Sequence, residues 1–542
     1  MSEHSATVES HEPLDLVVVG AGPHSLSLIC RLLESSPAEV FSDADHARLH
    51  YWKKNFSTSY SVSDSLDIDA DRKRILVIDG KGKWMESWNQ SFRAFNIKHL
   101  RSPMFFHPDP FDSNALRCFS DTQCRSCELV DISKIVDQCK KCKKKAQKSE
   151  LTENDRDQFY CPSTGLFSDF CESLVDRYFI HDIITQGWVT DIIPQGNIFK
   201  IVYKVSTKTI FGPSDCCAQG HTIVENNLVK VVYARRVVCA LGNSNNPVFP
   251  NFIGKLAVDS FPSNRIVHSI ELSNKTKLPV PPELKPARDY CSLLVIGGGL
   301  TTAQLVDLAV QHGFKRIVMA SRSKLKVKPF DVGIEWVGRN SWRHHFDFWN
   351  HDGSGRRTCI SNAKNGGSIT PEYRSILANY ENIGILEIRE GTFVSNAEWV
   401  DGKWKVNFSN GNDADCFDMI WLGTGSIMDV RKELCLSSVM EEYPTRIFGG
   451  LPELDETLKW PGLELYLMSG YSGLSIGPSA GNLFGGRIAA RKIASKLLKS
   501  MLGVIPVKTD ESRQERKNNL KTLATMSDSF VNYWTSLPET EV

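Results

Sequence analysis

No run of the sequence stays apolar for the roughly 18 residues that a bilayer-spanning helix needs, so no membrane span is expected. The opening MSEHSATVESHEP lacks the basic start and apolar stretch of a secretory leader, and the closing TETEV matches no lipid-anchor or sorting address. An excess of one charge sign is missing as well. The 64 Lys and Arg against 63 Asp and Glu leave a net charge of +1, which removes any global electrostatic case for nucleic acid or an anionic surface. A disulfide framework is not expected either, because the 15 cysteines are an odd number scattered over 542 residues. The expectation is a cytoplasmic protein with reduced thiols. Its 41% hydrophobic residues and its length provide for roughly two to four domains.

What is present begins at residues 15–28, DLVVVGAGPHSLSL. Leu14 and Leu16–Val19 form a short apolar run that reads as a buried parallel strand. Gly20, Ala21 and Gly22 make a tight turn, and a helix is expected from about Ser25, with Leu26, Ile29, Leu32 and Leu33 on one face. A strand, a glycine turn and a helix N-terminus together suit a pyrophosphate. The pattern is G-x-G-P-x-S, with Pro23 inside it and Ser25 where a third glycine usually stands. An acidic ribose ligand is expected at the end of the next strand. RILVID at 74–79 supplies Asp79, which makes residues 35–73 a polar insertion.

A related stretch, SLLVIGGGLTTAQL, recurs at 292–305. Its glycines are Gly297, Gly298 and Gly299, Thr301 and Thr302 open the helix, and Gly313 closes it as a C-cap should. The following strand, RIVMA at 316–320, runs into SRSKLKVK, with Arg322 and Lys324 where an NAD site places a carboxylate. A hydroxyl and a guanidinium suit a ribose 2′-phosphate, so this turn reads as an NADPH site and the first as an FAD site. RRVVCALGNSNNP at 235–247 and DMIWLGTGS at 418–426 read as further buried strands, each followed by a turn of small residues.

These residues resemble the FAD- and NADPH-dependent flavoproteins of the lysine and ornithine N-hydroxylating monooxygenase family, over about residues 14–498. GAGPHSLSL is similar to the opening FAD motif of that family, VHSIEL at 267–272 to its His-Ser element, and IGGGLTTAQL to its NADPH motif. WLGTGS is similar to its Ala-Thr-Gly motif, with Gly423 in place of Ala and Gly425 closing it. A subgroup of these proteins is closer still, through HLRSPMFFHPDPFD at 99–112, CPSTGLFSDFC at 161–171, FDVGIEW at 330–336 and LSIGPSAGNLFGGRIAARKI at 474–493. In the hydroxylases a substrate-binding lysine falls in the stretch matching 99–112; here Arg101 is its nearest counterpart. The Leu-Leu-Ser pattern near the end of those enzymes is replaced by Gly-Pro-Ser. The resemblance also points the N-terminus of the last helix, Asn482 and Leu483, toward the flavin ring.

Other features keep several readings open. Cys124-x-x-Cys127 and Cys139-x-x-Cys142 fit a structural zinc, a redox dithiol or a solvated basic loop alike. The stretch NSWRHHFDFWNHDGSGRR at 340–357 suits an active-site lid or a packed surface helix, and residues 501–542 read as a peripheral tail. Pro103, Pro108 and Pro110 forbid a regular helix, so His99, Arg101 and His107 lie on a stiff segment that lines a flavin face or forms a surface turn.

The expected fold is α/β with two dinucleotide-binding Rossmann-like domains. An FAD domain of residues 13–287 and 425–500, with insertions at 35–73 and 117–158, is split by an NADPH domain at 288–424. The resemblance implies a monooxygenase. NADPH reduces FAD, the reduced flavin captures O₂ as a C4a-hydroperoxide, and a small amine or amino acid takes the distal oxygen. Arg101, His107 and His268 are the candidates for pocket polarity, and no resident metal is assigned. An NADPH-dependent flavin reductase or oxidase, and a non-enzymatic FAD-binding regulator, remain as alternatives.

Overall fold

The computed structural model describes residues 12–34, 74–111, 115–132, 159–211, 222–242, 246–256, 261–262, 264–273, 291–336, 341–411 and 414–502. Strand β1 (Leu16–Val19) is wholly buried and leads into helix α1 (Pro23–Leu33). The helix starts two residues before the expected Ser25, because proline at its first position gives up an N–H that has no intrahelical partner anyway. β2 (Ile75–Asp79) follows, then α2 (Glu86–Ala94) and α3 (Thr164–Arg177), whose N-terminus Ser163 caps by accepting from Leu166 N at 3.0 Å. β3 (Ile184–Gln186) leads into three antiparallel strands, β4 (Trp188–Gln195), β5 (Ile198–Phe211) and β6 (Thr222–Ala234). The chain then returns as β7 (Val237–Cys239).

The sequence of elements now repeats. β8 (Ile266–His268) and β9 (Ser292–Ile296) precede α4 (Leu300–Gln311) and β10 (Arg316–Ser321). Helices α5 (Ser341–Trp349), α6 (Gly353–Lys364) and α7 (Pro371–Asn382) lead to β11 (Leu386–Glu390). A second antiparallel triplet follows, β12 (Val394–Val400), β13 (Lys403–Phe408) and β14 (Asp415–Phe417), and β15 (Met419–Leu422) completes the series. β16 (Leu465–Leu467) and the long helix α8 (Leu483–Leu502) come last.

Two five-stranded sheets result, in the orders β16-β7-β1-β2-β3 and β8-β15-β9-β10-β11. All their pairings are parallel. In each, the strand before a glycine turn is central. In each, the chain leaves an edge strand, β3 or β11, for an antiparallel triplet and comes back beside the central strand. Parallel strands covered on both faces are expected to be apolar throughout, and β9 shows how. Leu293 and Val295 join one buried cluster with Ala303, Leu305 and Val306 of α4, while Leu294 and Ile296 join another with Trp404, Val406 and Phe417 of the triplet. The first sheet shares its cluster with α1, α3 and α8.

The insertion expected at 117–158 is partly built into the fold. Leu129–Asp131 pairs antiparallel with Tyr160–Pro162, and Arg125 bridges Glu128 to Asp169 of α3. Residues 35–73, 133–158 and 503–542 fall outside the described residues, and with them Cys139, Cys142 and most of the expected tail. Residues 341–357 of the aromatic and histidine-rich stretch include α5 and the start of α6. Among the described residues no helix is long and apolar enough to cross a membrane.

Candidate nucleotide-binding site

The first glycine turn sits at the C-terminal end of β1, between the ends of β2 and β7. Gly20 has φ +98°, and a Cβ there would lie 2.8 Å from Ala240 O, so both backbone shape and space demand glycine. The Gly20 amide donates to Ile78 O at 2.8 Å, and the Ser25 hydroxyl donates back to Gly20 O at 2.6 Å. Ser25 is fully buried, so it fills the third-glycine position as a brace for the turn. Gly22 is different: among the described residues a Cβ on it would meet nothing within 4 Å and the helix it precedes has no side-chain cap. The turn thus opens on a helix N-terminus with orphan amides, which is where an anion is stabilised. Asp79 stands beside it at the end of β2. Its two oxygens accept from Ala21 N at 3.1 Å and Lys81 N at 2.8 Å, which fixes the carboxylate against the turn.

Helix α8 brings Asn482 and Leu483 to the same place. Asn482 caps α8 by accepting from Gly485 N at 3.0 Å. A Cβ on Gly486 would lie 3.1 Å from the His24 ring, so α1 and α8 meet with almost no side chain between them. His24 is buried there, bonded to the Asn482 backbone, and burial lowers its pKa to about 4.

The second turn repeats the first with different packing. Gly297 has φ +146°, and a Cβ on it would collide with Thr302 Oγ1 and the Gly423 carbonyl. Thr302 is fully buried and its hydroxyl donates to Gly423 O at 3.1 Å, so it braces the turn from beneath, while Thr301 is only partly buried. This explains Gly423 in place of alanine: a methyl there would stand 3.0 Å from Thr302 Cα and collide with its hydroxyl. Ser321, at the end of β10, is buried and donates to Ser323 O at 2.8 Å. Arg322 and Lys324 are exposed beyond it.

The three polarity candidates have different surroundings. His268 ends β8 and is buried, and burial lowers its pKa. Ile270 N donates to its Nδ1 at 3.2 Å, so the ring carries its proton on Nε2, 3.2 Å from Thr424 Oγ1; that hydroxyl in turn donates to Val248 O. Gly425, at φ +78°, accepts from Val248 N at 3.0 Å in the same crossing of segments. His107 is fully buried with its ring against Phe170, on a segment anchored by buried Asp109, which accepts from Arg177 Nη1 at 2.6 Å. Arg101 turns toward residues 328–330. It donates to Lys328 O at 3.0 Å, Pro329 O at 3.2 Å, Phe330 O at 2.9 Å and Ser368 Oγ at 2.8 Å.

Sequence reasoning did not single out Lys326, Lys328 or residues 365–369, of which Gly367 lies against the second turn. The Gly366-Gly367 pair was the available signal, since such a dipeptide marks a turn or a close approach. Among the described residues no group of three or more His, Cys, Asp or Glu is arranged to hold a metal ion; Cys124 and Cys127 are exposed.

No family model matches the sequence, and no curated protein matches it. Solved structures do match. The ornithine hydroxylase PvdA from Pseudomonas aeruginosa aligns over 90% of this chain and 99% of its own, at TM-score 0.58 and 15% identity. The ornithine N-hydroxylase KtzI from Kutzneria sp. 744, in a form with reduced FAD, NADP+ and L-ornithine, aligns over 90% of this chain and 100% of its own, at TM-score 0.59 and 14% identity. The cadaverine monooxygenase DfoA from Erwinia amylovora, bound to FAD, aligns over 90% and 95%, at TM-score 0.55 and 10% identity. This chain therefore has the α/β fold of these flavin-dependent hydroxylases, the family its motifs resemble.

Proposed function

We propose that this protein is an FAD- and NADPH-dependent monooxygenase that N-hydroxylates a small amine or amino acid. In this reading residues 13–287 and 425–500 form a split FAD domain, residues 288–424 form the inserted NADPH domain, and 501–542 are a tail. The observation that carries it is the duplication of one sheet order, each copy with a glycine turn and a helix N-terminus at the end of its central strand. The fold likeness to ornithine and cadaverine hydroxylases supports the same reading.

The residues of the first turn fit FAD. Gly22 leaves room for a pyrophosphate, the α1 amides of the first turn supply donors, and Asp79 supplies a fixed acceptor for a ribose hydroxyl. Asn482 and Leu483 border the same opening. At the second turn the backbone of Gly297–Thr301 would take the NADPH pyrophosphate, and exposed Arg322 and Lys324 would take the 2′-phosphate. The bound flavin supplies hydride acceptance and oxygen activation, which side chains lack. The protein's part is to hold the two nucleotides, position the amine and exclude water. All the described cysteines are free thiols, which fits a cytoplasmic location.

The test is anaerobic reduction of the purified protein by NADPH, followed by mixing with oxygenated buffer while flavin absorbance is recorded. A long-lived absorbing species before oxidised flavin returns, decaying faster in the presence of an amine that becomes hydroxylated, is the expected result. Immediate return to oxidised flavin would mark a reductase or oxidase. Failure to hold FAD even when it is supplied would mark a non-enzymatic role.

A further inference from the structure

The second glycine turn has a cover. Residues 365–369 run across it so closely that a Cβ on Gly367 would stand 3.0 Å from Gly299 Cα and 3.2 Å from Gly299 N. This strap is doubled by residues 326–330: Ile369 N donates to Lys326 O at 2.8 Å, and Lys328 N donates to Ile369 O at 2.9 Å. Two ammonium groups tie the pair to the C-terminal end of α6. Lys326 Nζ donates to Asn365 O at 2.7 Å and Oδ1 at 2.9 Å, and Lys328 Nζ donates to Lys364 O at 3.0 Å. One guanidinium also grips both arms, since Arg101 bonds the carbonyls of 328–330 and the Ser368 hydroxyl together. Arg101 comes from a distant part of the chain, more than 220 residues away in sequence.

A pyrophosphate on a turn of this kind takes its bonds from the turn amides and the helix N-terminus. The Gly299 amide is the one that Gly367 covers. We propose that the 365–369 strap is a gate over the second glycine turn and that Arg101 is its latch, a positioning residue that sets how readily a dinucleotide reaches the turn. The inference rests on that turn being the pyridine-nucleotide site. A latched strap leaves only a fraction of molecules competent to bind, and apparent affinity falls by that fraction. Lysine in place of Arg101 would not serve equally, because only a planar fork reaches several carbonyls at once.

The test uses full-length protein and its Arg101→Gln variant, with two readouts: hydrogen exchange of peptides covering 297–303 and 365–369 without nucleotide, and calorimetric titration with NADP+. Exchange is expected to rise several-fold in both peptides, and NADP+ to bind about tenfold more tightly. Gly367→Ala, whose new methyl presses directly on Gly299, should give the same rise in exchange and keeps the test open if Arg101→Gln does not fold. Unchanged exchange in the variants overturns the proposal. So does NADP+ binding that is equal or weaker in Arg101→Gln despite faster exchange. If exchange rises but neither wild type nor variant binds NADP+, the latch is established and the nucleotide reading falls.

Discussion

Acid should unfold this protein partly through one imidazole. His24 lies between α1 and α8, 8% exposed, with its ring against Gly486. Among the described residues its Nδ1 has no hydrogen-bond partner, so a proton there would be buried without an acceptor. Desolvation accordingly lowers its pKa from 6.5 to about 4, and the Asn482 backbone opposes this only in part. The folded protein holds the ring neutral, whereas the unfolded chain takes up a proton near pH 6.5. The stability tied to this ring is therefore complete above that pH and is lost as pH falls toward 4. The gap between the two values corresponds to about 3 kcal/mol in full, of which about 2 kcal/mol is gone by pH 5. His24→Leu keeps an apolar filler of similar size and removes the titration. Urea unfolding of both proteins between pH 7.5 and 5 isolates the effect, because groups common to both cancel in the difference. Wild type should lose about 2 kcal/mol relative to the variant over that range. A difference that stays flat within about 0.5 kcal/mol would refute the burial argument.

Other outcomes follow from the same geometry. Gly423→Ala should cost about 1–3 kcal/mol of stability through overpacking on Thr302, and less in a Thr302→Ala background; thermal unfolding of the four proteins checks this, and strict additivity would show that the two residues do not press on each other. Trp404→Ala should cost about 3–5 kcal/mol, because the indole is fully buried, donates to Arg265 O at 3.2 Å and packs edge-on against Phe261; a loss under about 1 kcal/mol in urea would contradict that packing. Arg322→Ala should weaken NADPH about tenfold or more while leaving NADH nearly unchanged, because a guanidinium contributes mainly through the 2′-phosphate; equal losses for both nucleotides, measured by flavin reduction, would remove the assignment.

Both glycine turns were legible because a buried parallel strand, a glycine pair and an amphipathic helix each leave a local signal, and the three occur in order. Asp79 was legible for the same reason: it ends an apolar run. The antiparallel triplets were not, although they supply three strands beside the five of each half's parallel sheet. Trp188–Gln195 loses its alternation at a bulge between Val189 and Asp191, and Lys403–Phe408, though it alternates strictly between exposed and buried positions, is only six residues long. Helix starts moved by one or two residues, as at Pro23 and Leu300, where the cap and not the apolar periodicity decides.

The sequence by itself determined the two strand-turn-helix units and the residue types that suit a pyrophosphate, since these depend on neighbours in the chain. Which side chains face the openings was decided only by tertiary packing. Ser25 reads as a small residue at the third-glycine position and Thr302 as one that opens a helix; that both are buried, with hydroxyls bonding carbonyls at 2.6 Å and 3.1 Å, is visible only in the packed structure. Arg101 read as a pocket residue, yet its fork is committed to a strap more than 220 positions away. For Thr302 and Arg101 the physical reason is the same: a hydrogen bond to a carbonyl more than 100 positions away depends on where the chain returns, and no local pattern encodes that return, whereas Ser25 bonds a carbonyl five positions back in its own turn.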